Sequence, residues 1–321
     1  MNATAVIAVE GVSRSFGEVH AVRDASFEVH AGSVTALIGP NGSGKTTLLL
    51  MLATLLRPDA GSIRIAGHDP VADPRAVRSA MGWMPDVLGS WGSISVRRTL
   101  EITGRLYERS AAASRERAQQ LIELVGLEPQ AEQPTRVLSR GQKQRLSLAR
   151  ALVHEPSVLL LDEPASGLDP AARVELRTLV RRLAGEGVAV LVSSHVLAEL
   201  DEMADAAVYL DHGVTASAER VERSRAQARD WRIRAIDGSQ LEAALVRLGL
   251  AGTTTDHLGT SVSVAGEREA AELLARLVSE GVAILAFGPA VGDLEHTFLD
   301  LARGDVAGAD PAPASTEGSE R

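Results

Sequence analysis

Gly39-Pro40-Asn41-Gly42-Ser43-Gly44-Lys45-Thr46-Thr47 governs the reading of this chain. It satisfies G-x-x-x-x-G-K-[ST], a loop whose backbone N–H groups close around phosphate oxygens. Glycines suit such a loop because side chains would block the approach of the backbone. Just upstream, residues 34–38 form an apolar, partly β-branched run that fits a buried parallel strand, and residues 45–56 read as a helix. That helix would point its positive end at bound phosphate. Lys45 is expected to reach the β- and γ-phosphates and the Thr46 hydroxyl to ligate Mg²⁺. The chain has only two lysines, Lys45 and Lys143, and otherwise uses arginine. A compact ammonium on a flexible stem fits between loop and phosphates where a planar guanidinium would not. By itself this loop says only that a nucleoside triphosphate binds.

Further along, residues 157–161 make a second apolar strand run, ending in Asp162-Glu163-Pro164. A carboxylate in the position of Asp162 can hold Mg²⁺ directly or through water. Glu163, beside it, suits the orientation and deprotonation of an attacking water. Residues 188–193 are a third such run, and the helix before it carries Leu176, Leu179, Val180 and Leu183 on one stripe. Strand, helix and strand with short connections imply a parallel sheet. Leu138-Ser139-Arg140-Gly141-Gln142 precedes a helix expected over 142–153; read alone, that pattern is capping chemistry.

The flanking regions have different textures. Segments 5–9, 26–29 and 62–66 read as antiparallel strands, whereas 73–134 reads as helical, with helices at 100–109 and 115–125 closed by Gly126 and Pro129. Past Gly213 a charged helical connector (218–230) leads into a small βαβ-type domain (231–303). Its strands are expected at 231–236, 261–264 and 282–287, its helices at 240–248, 268–280 and 294–302. The region offers no catalytic cluster, so a regulatory or stabilising role is expected of it. Residues 304–321, rich in Ala, Pro, Ser, Gly and Glu without apolar periodicity, are expected to be disordered.

At 321 residues the chain should hold about two domains. With 33 basic and 42 acidic residues the net charge is −9, a poor match for nucleic acid. No apolar run approaches the roughly 18 residues that span a bilayer, and the N-terminus lacks the features of a secretory signal. A cytosolic location is therefore expected, with any membrane role exercised through a partner. Cysteine is absent, and no two histidines stand within four residues of each other, so thiolate or local His-based metal sites have no support.

Taken in chain order, the 39–47 loop, the Ser139-containing pentapeptide and the Asp162-Glu163 strand end resemble the ATP-binding cassette (ABC) family over roughly residues 5–217. The resemblance implies an α/β P-loop NTPase cassette, with a parallel core sheet, an antiparallel β subdomain and an α-helical subdomain at about 73–155, plus a small α+β C-terminal domain. It makes Ser139, Arg140, Gly141 and Gln142 the LSGGQ signature, with Arg140 replacing the first glycine, facing a γ-phosphate on the opposite subunit. Ser166-Gly167-Leu168-Asp169 resembles the D-loop at the dimer seam, with Asp169 its acid. His195 resembles the switch histidine, and Phe16 the aromatic that stacks on adenine. Asp86 stands where the family has its Q-loop glutamine; being acceptor-only, it cannot copy the amide's donor role, though it could bind Mg²⁺ or its water.

The resemblance further implies an ATPase that binds ATP and Mg²⁺, works as a head-to-tail homodimer and drives a separate integral-membrane permease from the inner face of the plasma membrane. One cassette with a small C-terminal domain is similar to the ATPase subunits of ABC-2-type, drug-resistance exporters. In stretch 86–96, Trp91 is expected either to meet the permease or to serve as buried packing. Rival readings fare worse. Ribosomal ABC proteins carry two cassettes in one chain and DNA-repair ones a long coiled-coil insertion, and neither occurs here. Glu163 speaks against a non-hydrolysing regulator. No N-K-x-D motif supports GTP.

Overall fold

Two long strands open the first of two compact units, which divide the chain at 216/217; the computed structural model describes residues 5–86, 89, 92–225, 227–250 and 254–307. Strands β1 (Ala5–Phe16) and β2 (Val19–His30) form an antiparallel hairpin, followed by β3 (Val34–Ile38) and helix α1 (Lys45–Leu52). Strand β4 (Ala60–Ile65) then pairs antiparallel with the outer side of β1. Sequence periodicity catches only the ends of the hairpin, because repeated register shifts break its inward–outward alternation.

Next come α2 (Pro74–Ala80), β5 (Met81–Met84), α3 (Val96–Leu106), α4 (Ala111–Leu124) and α5 (Arg140–Ala151). Asp73, Ser95, Ser110 and Ser139 cap the four helices by accepting from first-turn amides. The first helix of the α3–α4 pair buries Val96 and Leu100, and the second Leu121 and Ile122; a fully buried Leu contributes about 1.5–3 kcal/mol. The expected all-helical stretch is corrected at one point: β5 is a strand, and it pairs parallel with the next one.

That strand is β6 (Val158–Asp162), followed by α6 (Pro170–Gly185), β7 (Ala189–Ser193), α7 (Leu197–Asp201), β8 (Ala206–Asp211) and β9 (Val214–Thr215). Every residue of β3, β6 and β7 is buried, as expected of strands covered on both faces. The nine strands run in the order β4-β1-β2-β9-β8-β3-β7-β6-β5, and the five from β8 to β5 are mutually parallel. Because β3, β6 and β7 are central and adjacent, the segments leaving their C-terminal ends meet along one rim.

The second unit comprises α8 (Ala218–Arg225), β10 (Arg229–Ala235), α9 (Gly238–Arg247), β11 (Thr254–Asp256), β12 (Gly259–Val264), α10 (Glu267–Ser279), β13 (Ile284–Pro289) and α11 (Asp293–Ala307). Its sheet, β11-β12-β10-β13, is antiparallel between all neighbours. The simple βαβ expectation is thus corrected to a split βαβ arrangement, in which β10 and β11 run parallel with β12 between them. Trp231 and Ile233 pack there against Leu241, Leu245, Val262 and Leu277, and Trp231 stacks on Phe287 at 5.1 Å. Helix α8 packs on α11, with Arg220 donating to the Leu301 carbonyl and Ser224 to that of Thr297. The expected connector therefore opens with an integral helix of this unit. Helix α11 continues to Ala307, into the stretch expected to lack order; residues 308–321 lie outside the described residues.

Candidate functional site

The 39–47 segment leaves β3 and enters α1 with Gly44 in the left-handed N-cap position (φ 104°). Two glycines are obligatory on spatial grounds. A Cβ on Gly39 would stand 2.2 Å from the Leu210 carbonyl, and one on Gly44 would stand 2.3 Å from that of Ala21. Pro40, Asn41 and Gly42 are the outer part of the loop, and Thr46 is exposed at its helical end. Thr47 is part-buried one residue further along α1. Lys45 folds back across the loop, its Nζ donating to the Gly39 carbonyl at 2.7 Å and the Pro40 carbonyl at 3.0 Å. The buried Ser43 hydroxyl has no hydrogen-bond partner among the described residues. A backbone cradle, a cation and an orphaned donor fit an oxyanion ligand.

Asp162 ends β6 almost fully buried and accepts from the Ser193 hydroxyl at 2.6 Å. Burial pushes its carboxyl above the usual range against that hydrogen bond; the charge of Asp86 adds to the rise and Lys45 opposes it. Glu163 follows in a left-handed backbone (φ 51°), which swings its side chain away from the buried strand end. Its Oε2 lies 2.7 Å from Nδ1 of His195, and its N–H donates to the Ser193 carbonyl at 3.1 Å. Burial raises the Glu163 carboxyl too, opposed by His195. Burial lowers Lys45, against the attraction of Glu163 and Asp162. The loop lysine and both carboxylates thus form one electrostatic cluster, reached also by the charge of Asp86.

Ser139 and Gln142 join in a capping box: the Ser139 N–H donates to Gln142 Oε1 at 2.8 Å and the Gln142 N–H to Ser139 Oγ at 3.2 Å. Arg140 and Gly141 form the first turn of α5. Asp169 caps α6, accepting from the Ala172 N–H at 2.9 Å. Phe16 stands half-exposed at the end of β1 with the Arg14 guanidinium 4.9 Å from its ring centroid, so it is not a core residue. Trp91 lies outside the described residues. Among the described residues, no three His, Cys, Asp or Glu side chains gather in a way that could hold a metal by themselves.

Two contributors escape the sequence reading. Ser193 orients Asp162 and faces the Glu163 backbone. Gln144, buried inside α5, donates to the Glu163 carbonyl at 2.9 Å. Its signal was a polar residue at i−4 from the buried Leu148, on the apolar stripe of a helix. Elsewhere on this unit, a groove of about 700 Å³ is lined by Leu55, Arg78, Trp83, Leu106 and Tyr107 among others.

Residues 22–166 match the ABC transporter family. The chain is 36% identical over 308 residues to the daunorubicin resistance ATP-binding protein DrrA3 of Streptomyces coeruleorubidus, covering 94% of this chain and 98% of that one. It is 34% identical over 309 residues to the daunorubicin/doxorubicin resistance ATP-binding protein DrrA of Streptomyces peucetius, covering 93% and 92%. The dimeric structure of MJ0796, a bacterial ABC transporter cassette, superposes with a TM-score of 0.60 at 25% identity, covering 66% of this chain and 97% of that one.

Proposed function

Because the chain belongs to the ABC transporter family of ATP-binding ATPase subunits, we propose that its 39–47 loop binds ATP and that Glu163 is the base that hydrolyses it. The observation carrying this reading is the cluster of Lys45, Asp162, Glu163 and His195 at the rim of the parallel sheet. Lys45 and the loop amides would hold the phosphates, with Lys45 exchanging its carbonyl partners for phosphate oxygens. Thr46 and Asp162 would hold Mg²⁺, which when bound would supply neutralisation of phosphate charge. Asp86, acceptor-only, is suited to a water of that ion.

Glu163 takes the proton of the attacking water. A carboxyl raised by burial is a better base than an ordinary one. His195, tied to Glu163 at 2.7 Å, would hold the carboxylate in one orientation and serve as the switch histidine toward the γ-phosphate. Phe16 offers a ring face to the adenine. Ser139, Arg140, Gly141 and Gln142 head a helix whose positive end would complete a second copy's site, with Asp169 at the seam; cassettes of this kind are found as dimers.

The work goes into a separate permease, for which the 700 Å³ groove with Trp83 and Tyr107 is the docking surface. Among the described residues no helix is long and apolar enough to cross a membrane, so the chain would sit on the cytoplasmic face through that permease. The drug-resistance names of the relatives support export of a drug-like small molecule.

The test is Glu163→Gln. It should keep ATP affinity and lower turnover by about 10²-fold or more, the scale of a lost general base. Turnover at the wild-type rate would remove Glu163 from the role.

A further inference from the structure

The loop that comes after the two carboxylates is fastened to α5 at two points. Arg140 Nη2 donates to Ser166 Oγ at 2.7 Å, and one turn on the buried Gln144 amide donates to the Glu163 carbonyl at 2.9 Å. The Arg140 stem lies flat across Gly167, where a Cβ would stand 2.6 Å from its Cδ and Nε, and a Cβ on Gly141 would be 3.3 Å from Leu168. Within the loop, the Ser166 N–H bonds the Glu163 carbonyl and the Leu168 N–H that of Ala165, both at 3.1 Å. Ser166 is thus one hydrogen bond from the Glu163 backbone.

Helix stability does not explain the arginine. A cation in the first turn works against the helix dipole. Ser139 and Gln142 already cap this end without help. The side chain leaves its own helix to reach the loop.

We infer that Arg140 is a positioning residue, which through Ser166 fastens the N-terminus of α5 to the loop carrying Glu163, so that helix and carboxylate move as one body. The inference rests on the reading of Glu163 as the base. In the head-to-tail arrangement it has a consequence: the helix end answers to the partner's nucleotide while Glu163 serves its own. The tie then passes the occupancy of one site to the base of the other.

Full-length Arg140→Met, Arg140→Lys, Ser166→Ala and the Met/Ala double variant decide it, with Glu163→Gln measured alongside. Arg140→Met and Ser166→Ala should each lower kcat about tenfold, leaving KM and melting temperature near wild type; the double should be no worse than either, since both remove one interaction. Arg140→Lys, which can still donate, should keep most of the activity. In the nucleotide-free protein, amide exchange over 139–146 and 163–169 should rise together in Arg140→Met and Ser166→Ala and stay low in Arg140→Lys. Additive losses in the double, or wild-type kcat and exchange in Arg140→Met, overturn the tie. An active Glu163→Gln overturns the base assignment instead, and the exchange data still judge the tie on their own.

Discussion

Glu163 sits in a left-handed backbone that a non-glycine residue adopts only at some cost, stabilised by amide bonds to the Ser193 carbonyl and from Gln144. The cost is compounded by burial, which raises its carboxyl and that of Asp162. That rise sets the sign of the pH dependence. A carboxyl whose folded pKa is raised holds its proton more tightly when folded, so its stability contribution is complete below the unfolded pKa and lost as pH rises through the folded one. Glu163→Gln should therefore melt above wild type at neutral pH without nucleotide. The difference should shrink on acidification and close near pH 4, the ordinary carboxylate range. Melting curves across that range check it; a variant less stable at neutral pH would contradict the electrostatic account. At this scale the sequence was informative wherever chemistry demands one residue type at one place, as with Lys45 and Asp162. It was silent on Ser193 and Gln144, whose roles depend on what the fold brings beside them.

At the scale of elements, the helix α5 can seat against β5 only because Gly82 lacks a side chain. A Cβ there would stand 2.2 Å from the Ala151 carbonyl at the helix C-terminus. Gly82→Ala should cost about 1–3 kcal/mol, as overpacking of a core usually does. It should lower the ATPase rate as well, because the displaced helix carries Gln144 and Arg140. Chemical denaturation together with turnover measures both; an unchanged midpoint would mean that the helix yields without resistance. The strands legible in the sequence were those buried on both faces, β3, β6 and β7, which read as unbroken apolar runs. Strand β11 was not legible, since Thr254–Asp256 is polar and exposed throughout. Strand β5 was hidden by its length of four residues and by the helical pattern around it.

At the scale of the whole molecule, the first unit carries all the chemistry described, and the second is a split βαβ unit with its own core around Trp231 and Ile233. The order of motifs along the chain was enough to anticipate the cassette. The antiparallel pairing of the second sheet was not, because strand direction depends on a missed strand. The central claim is that each ATP site is completed by a second copy, a proposal that assigns Ser139 and Lys45 of one chain to different sites of the assembled pair. The most direct measurement mixes two inactive full-length chains, Lys45→Ala and Ser139→Arg, and tracks phosphate release. Mixed dimers contain one site in which both loop and helix end are intact, so the mixture should hydrolyse ATP where neither chain does alone. No recovery in mixed dimers shown to form, or full activity in a chain shown to remain monomeric, would contradict the account.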